Sequence, residues 1–203
     1  MEKRSNMEKK TDFKEKPLLT GERAILRPFR IEDFEDMIAI LSEPDLRKLT
    51  GSAINEEKCT EPFSEEDLHK MSAWYESRNE QTDRMDLAVI DRHTGDLVGE
   101  AVLNEYDEVT RNVNFRILIG KSGQGRGIGS EATQMLLKYA FEVLNLHKVS
   151  LEVFSFNPRA ERVYVKSGFI LEGVRREDFR FEEDYFDTKI YGILKSDYAQ
   201  IGK

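Results

Sequence analysis

The chain reads as an α+β domain built on a mixed, mostly antiparallel central sheet with helices on its flanks. Three observations predict this. Alternating apolar segments at residues 85–91, 96–103 and 112–120 follow one another closely, and His93-Thr94-Gly95 is a turn signal between the first two, so they form an antiparallel meander. A long helical pattern then separates the third segment from a strand at 149–154, and a strand–helix–strand crossover within one sheet is parallel and right-handed. Two last strands, 169–172 and 185–194, with Glu183-Asp184 at a turn between them, finish the sheet as a hairpin. A sheet so mixed is not a doubly wound nucleotide fold.

Residues 1–16 are mostly Glu, Lys, Asn and Asp, with little to bury, and are expected to form a loose leader to a single domain over 17–203. Ala24-Ile25-Leu26-Arg27 is the first strand. Phe34, Met37, Ile38 and Leu41 then fall on one helical face, with Glu32 and Asp33 in the first turn and Pro44 closing the helix. Ser64 followed by Glu65-Glu66-Asp67 is an N-cap with an acidic first turn, leading a helix that turns Leu68, Met71 and Tyr75 inward. In the third meander strand Phe115, Ile117 and Ile119 alternate with Asn114, Arg116 and Leu118. The long helix presents Ile128, Ala132, Met135, Leu136, Tyr139 and Val143 on one face. Asn157-Pro158 opens a further helix and Gly168 ends it.

With 203 residues, 39% hydrophobic and 34% charged, the chain can bury one substantial core. Its net charge of −8 argues against nucleic acid or an anionic membrane as partner. Cys59 is the single cysteine, which excludes an internal disulfide, a cysteine zinc site and a redox pair. No metal site is expected. Met1-Glu2-Lys3-Arg4 does not begin a signal peptide, and no apolar run is of membrane length, so a cytoplasmic protein is expected.

Two blocks carry chemistry. The first, Gln124-Gly125-Arg126-Gly127-Ile128-Gly129, opens the long helix, where free backbone N–H groups and the positive helix end make a seat for phosphate. Gln124 and Arg126 add donors, and Ser130 a hydroxyl. It is neither a P-loop, since no Gly-Lys-Ser/Thr follows, nor a dinucleotide fingerprint, since its glycines are too closely spaced. Glycines in a tight turn explain the block equally well. The second block is Asn157, Ala160, Tyr164 and Gly168-Phe169. Taken singly, these are an N-cap, a core tyrosine and a helix C-cap.

Together, Gln124-x-x-Gly127-x-Gly129 and Asn157-x-x-Ala160-x-x-x-Tyr164-x-x-x-Gly168-Phe169 resemble the signature of the GNAT superfamily of acetyl-CoA-dependent N-acetyltransferases. Leu144-Asn145-Leu146-His147-Lys148-Val149 and the opening stretch from Leu19 to Pro28 resemble the branch that acetylates ribosomal-protein N-termini, with its spermidine acetyltransferase relatives. The resemblance implies a central sheet with a splayed parallel pair, parting beyond Gly120. It implies that the backbone of Gln124, Gly125, Arg126, Gly127, Ile128, Gly129 and Ser130 holds the pyrophosphate of acetyl-CoA. Ile117, Leu118 and Ile119 would then offer backbone groups to the pantetheine arm. Asn157 would contact that arm, Arg159 and Arg162 would lie near the phosphates, and the Tyr164 hydroxyl would meet the thioester sulfur as general acid.

The implied reaction is direct attack of a primary amine on the acetyl carbon. Many relatives carry a glutamate on the strand before the glycine turn as base; here Asn114 occupies that position and cannot take a proton. Glu100 on the neighbouring strand is the remaining carboxylate, against a solvated strand residue as the plain alternative. Acidic clusters at Glu105, Asp107 and Glu108 and at Glu177, Asp178, Glu182, Glu183 and Asp184 would favour a polyamine or a protein N-terminus, although acidic loops also serve solubility. An antibiotic amine as acceptor and a non-catalytic acyl-CoA-binding module are the alternatives. An exposed edge at the last hairpin allows a homodimer.

Overall fold

The computed structural model describes residues 11–201. Its centre is an eight-stranded sheet: β1 (Leu19–Thr20), β2 (Ala24–Pro28), β3 (Met85–Asp91), β4 (Leu97–Asp107), β5 (Asn112–Ile119), β6 (Lys148–Phe154), β7 (Ile170–Phe181) and β8 (Asp184–Leu194), in the spatial order β1-β2-β3-β4-β5-β6-β8-β7. Every neighbouring pair is antiparallel except β5–β6. The helices are α1 (Asp33–Leu41), α2 (Pro44–Leu49), α3 (Glu56–Thr60), α4 (Glu65–Ser77), α5 (Ile128–Lys138), α6 (Pro158–Lys166) and α7 (Lys195–Tyr198).

The central strands bury both faces, which is why β3 is apolar along nearly its whole length. One face packs Leu26, Leu87, Val89, Ala101 and Phe115 against Ile128, Ala132 and Leu136 of α5 and Tyr164 of α6. The other packs Ala88, Ile90 and Leu118 against Met37 and Ile40 of α1 and Tyr75 of α4. The expected cap of α4 is present as a full capping box: Asp67 N–H donates to Ser64 Oγ at 3.1 Å, and Ser64 N–H to the Asp67 carboxylate at 3.3 Å.

Several expectations are corrected. Pro44 does not merely close α1, which ends at Leu41; it opens α2, where a residue without an N–H costs nothing. Val143 is exposed, because α5 runs on into a π-helical turn over Tyr139–Val143. The wider turn rotates the apolar face, so Ala140, Phe141 and Leu144 go inward instead. β7 reaches Phe181, far beyond residue 172, because an edge strand that is mostly exposed carries no hydrophobic alternation to find. The parallel pair parts sooner than expected: only Asn112, Val113 and Asn114 are in register with Lys148, Val149 and Ser150, so the strands diverge after Asn114 and not beyond Gly120.

The leader expectation fails for residues 11–16; residues 1–10 lie outside the described residues. Phe13 is 1% exposed in the main core, with its ring edge-on to Tyr106 at 5.2 Å. Lys16 Nζ donates to the carbonyls of Phe13 (2.7 Å), Gln81 (2.6 Å) and Arg84 (2.6 Å). One aromatic and one satisfied ammonium dock a segment whose average composition is polar. Phe13→Ala should lower the unfolding free energy by about 3–5 kcal/mol, the usual cost of truncating a buried phenylalanine. Urea denaturation measures it, and a loss below about 1 kcal/mol would mean the segment does not contribute to the core.

Candidate active site

A cleft of about 650 Å³ lies where β5 and β6 part. β5 still pairs with β4 as far as Ile119, but beyond Asn114 it has no partner on its β6 side. Phe115, Ile117, Leu118 and Ile119 line the cleft there. A strand edge of this kind presents backbone donors and acceptors that need a partner.

The glycine turn closes one end. Gly125 and Gly127 have φ of +75° and +79°, a left-handed conformation that a side chain makes costly. A Cβ at Gly127 would also stand 3.2 Å from Arg23 Cδ. No side chain caps the eleven-residue helix α5, so the amides of Ile128, Gly129 and Ser130 are offered outward at its positive end. The Ile128 side chain itself lies in the core. The turn is held from behind: Glu131 accepts backbone N–H groups of Glu22 (2.8 Å), Arg23 (2.7 Å) and Ala24 (2.7 Å). Partial burial works against ionisation, but these amides hold the Glu131 carboxyl below the usual range.

The side chains expected to meet phosphate are partly engaged by the protein. Gln124 Nε2 donates to the Ile119 carbonyl at 2.9 Å, and its Oε1 accepts from Arg159 Nη1 at 2.5 Å. Arg126 pairs with the fully buried Asp91 and donates to the Ser122 carbonyl at 3.3 Å. Asn157 caps α6 by accepting the Ala160 N–H at 3.1 Å, and it also lines the cleft. Gln124, Gly129 and Arg159 line it too, whereas Arg162 is exposed on α6 and stands outside the lining. The anion seat is thus chiefly backbone.

Tyr164 lines the cleft at 6% exposure. Phe115 and Phe169 meet its ring edge-on, at 6.3 and 5.9 Å between centroids. Burial pushes its hydroxyl up to about 12, so it keeps its proton across the neutral range. Glu100 is not a solvated strand residue: it is 4% exposed, lines the same cleft and accepts the Tyr75 hydroxyl at 3.1 Å, with Arg78 4.0 Å away. Asn114 donates to Asn104 Oδ1 at 2.9 Å at the point of divergence.

Of the acidic clusters, only Glu105 lines the cleft. The others mostly hold turns: Asp107 accepts from Thr110 N–H, Asp178 from Arg175, Glu182 from Glu56 N–H and Glu183 from Arg180. Sequence reasoning missed Glu152, which lines the cleft while paired with Arg175. It also missed the phenylalanine group of Phe154, Phe156, Phe179 and Phe186, with neighbouring centroids 4.4–5.8 Å apart, of which Phe154 and Phe156 line the cleft. The available signal was the pair of aromatics two apart, Phe154 closing β6 and Phe156 in the turn after it.

Residues 23–170 match the family model of the acetyltransferase (GNAT) domain. The chain belongs to this family. It is 32% identical to spermidine N(1)-acetyltransferase of Vibrio cholerae over 142 residues, 63% of this chain and 82% of that one. It is 25% identical over 184 residues, 90% of this chain and all of the other, to YjcK of Bacillus subtilis, named as a probable N-acetyltransferase. The crystal structure of the Vibrio cholerae spermidine N-acetyltransferase in complex with CoA and spermine is similar with a TM-score of 0.75 and 26% identity, covering 89% of this chain and all of that one.

The protein is therefore an acetyl-CoA-dependent N-acetyltransferase of mixed α/β fold. Its own geometry fits the co-substrate: the uncapped start of α5 suits a pyrophosphate, and the unpartnered edge of β5 suits an amide-bearing arm. Among the described residues there is no cluster able to hold a metal ion and no helix long and apolar enough to cross a membrane.

Gly127→Ala tests the seat. It should raise KM for acetyl-CoA about tenfold, the equivalent of one charge-assisted hydrogen bond of roughly 1.5 kcal/mol, with kcat little changed. Gly95→Ala is the control, since Gly95 shares the left-handed backbone (φ +83°) but sits in the turn between β3 and β4, not at the start of α5. An equal KM change in both would show strain alone.

Proposed function

We propose that this acetyltransferase transfers acetyl to a primary amine of a polyamine, with Tyr164 as general acid and Glu100 as the group that receives the amine proton. The observation that carries the reading is that both side chains, each at least nine-tenths buried, line one cleft beside the unpartnered edge of β5. The similarity to spermidine acetyltransferases supports the acceptor class, as does a lining with three carboxylates, Glu100, Glu105 and Glu152. Arg116 and Arg159 offset part of that charge, and Arg175 neutralises Glu152. Glu100 and Glu105 therefore matter most for a cationic chain.

Acetyl-CoA supplies the activated acetyl group. The chain's residues must solve two proton problems. An alkyl amine of pKa about 10.4 is charged in all but roughly one molecule in a thousand at pH 7. Full transfer of that proton to a free carboxylate near 4.3 would be uphill by about 8 kcal/mol. Glu100 is therefore best placed to attract the ammonium first. Attack belongs to the neutral fraction, whose first proton has gone to water. As its lone pair forms the nitrogen–carbon bond the nitrogen loses its basicity, and Glu100 takes the second proton while the carbon–sulfur bond breaks and the thiolate leaves.

At the other end, a thiolate resembling cysteine, near 8.5, is a far weaker base than tyrosinate at about 12; the gap approaches 5 kcal/mol if the thiolate is as well solvated as in water. The desolvation that raises Tyr164 acts on the thiolate too and narrows that gap. Tyr164 thus stabilises the leaving group by donating a hydrogen bond and gives up its proton late. Tyr164→Phe should lower kcat about 10²-fold with little effect on CoA affinity. Unchanged turnover would remove Tyr164 from the mechanism. Since Tyr164 holds its proton up to about 12, the wild-type kcat profile should show no alkaline loss from this group below about pH 10.

Thiol release from acetyl-CoA against spermidine, spermine, an aminoglycoside and peptides beginning with Ala, Ser or Met tests the acceptor class. Polyamine turnover with a KM that rises with ionic strength is expected. Turnover restricted to peptides would replace the polyamine by a protein N-terminus. The Vibrio cholerae relative has been described as dodecameric, which supports an assembled state for this chain, with the exposed edge of β7 as its contact. A lone buried cysteine suits a cytoplasmic setting.

A further inference from the structure

Below the cleft lies a layer of buried charge that neither the acetyl-CoA seat nor the hydroxyl of Tyr164 uses. Arg78, just after α4, is 5% exposed, and Asp86 on β3 is fully buried. Arg78 pairs with Asp86, and Arg84 binds the same carboxylate from its other side, Nε to Oδ2 at 2.6 Å and Nη2 to Oδ1 at 2.8 Å. With Glu100 the layer holds two guanidiniums against two carboxylates. Asp86 alone cannot balance both arginines, so the fourth charge is Glu100.

The contacts to Glu100 are one-sided. The Tyr75 hydroxyl donates to Oε2 at 3.1 Å, and Arg78 Nη1 stands 4.0 Å from that same oxygen. Among the described residues none hydrogen-bonds to Oε1, and that atom is not sealed from the cleft that Glu100 lines. Tyr75 is fixed in turn by Phe29, edge-on at 5.0 Å, and by the Arg78 guanidinium, which lies 4.8 Å from its ring. A carboxylate on a flexible stem is thus held by one oxygen, with the other left to the acceptor.

We propose that Tyr75 and Arg78 are positioning residues: they clamp Oε2 of Glu100 and so aim Oε1 at the acceptor amine. The inference rests on Glu100 as the receiving group in the function proposed above. It also explains why this chain tolerates Asn114 on β5. The carboxylate is carried on β4 instead, and α4 and the turn at its exit supply the hydroxyl and the cation that orient it. The titratable and charged groups around Glu100 are Tyr75 of α4, Arg78 at its exit, and Asp86 and Arg84 at the start of β3, with Arg116 of the neighbouring strand β5 acting on Tyr75, Arg78 and Arg84.

The test is the split between kcat and KM for the acceptor, with KM for acetyl-CoA as the second readout, in Tyr75→Phe, Arg78→Met and Arg78→Lys. Freeing Oε2 should lower kcat/KM for the acceptor about tenfold while KM for acetyl-CoA stays put. Arg78→Lys keeps the charge without the fork and should recover KM for the acceptor more than kcat. An unchanged kcat/KM in folded Tyr75→Phe overturns the inference, and that variant keeps the question open to experiment should Arg78→Met fail to fold. Glu100→Gln separates the two proposals. If it is inactive while Tyr75→Phe and Arg78→Lys behave as wild type, only the clamp is wrong. If it is fully active, Glu100 is not the receiving group and both readings fall.

Discussion

The parting of β5 and β6 after three residue pairs is the constraint on which the rest of the molecule depends. A sheet that stayed in register would satisfy every backbone group of β5 and leave no cleft. By separating at Asn114, the chain leaves the edge of Phe115 to Ile119 in the middle of its own sheet, where it is shielded from other protein chains but open to a ligand. The uncapped α5 start lies just past the end of that edge, and α6, which carries Tyr164, begins just past the end of β6. The uncapped helix start, the extended edge and the buried tyrosine thus meet around one break in pairing.

Holding this opening requires ties across elements that no longer share a ladder. Gln124 bridges the last carbonyl of β5 to Arg159 on α6. Glu131 fastens the glycine turn to the start of β2 through three backbone amides, and Arg126 fastens it to buried Asp91 at the end of β3. These bonds spend charged side chains on backbone and on each other. The glycine turn and the start of α5 are accordingly tied to β2, β3, β5 and α6.

Much of this was legible in the sequence. The meander and the crossover follow from alternation and turn residues, because each signal is local, whereas the two motif blocks carry their meaning through the resemblance to the GNAT signature. What escaped is not local. The docking of Phe13 and Lys16 depends on partners such as Tyr106, Gln81 and Arg84, far away in the chain. The turn that sends Val143 outward is a change of helical pitch invisible to a fixed 3.6-residue period. The contacts around Glu100 and Asp86 bring α4, β3 and β4 together. Tyr75 was expected to face inward, but nothing in its own helix said that its hydroxyl would find a carboxylate on β4.

Trp74 is the chain's only tryptophan, and its half-exposed indole lies over both arginines of the buried layer, with Arg78 4.5 Å and Arg84 4.8 Å from the ring. An indole's emission responds to charge nearby, and the guanidinium it covers stands 4.0 Å from Glu100. A change of charge beside Glu100, such as the arrival of a cationic acceptor, should therefore register in the emission of a single indole, with no label on the chain.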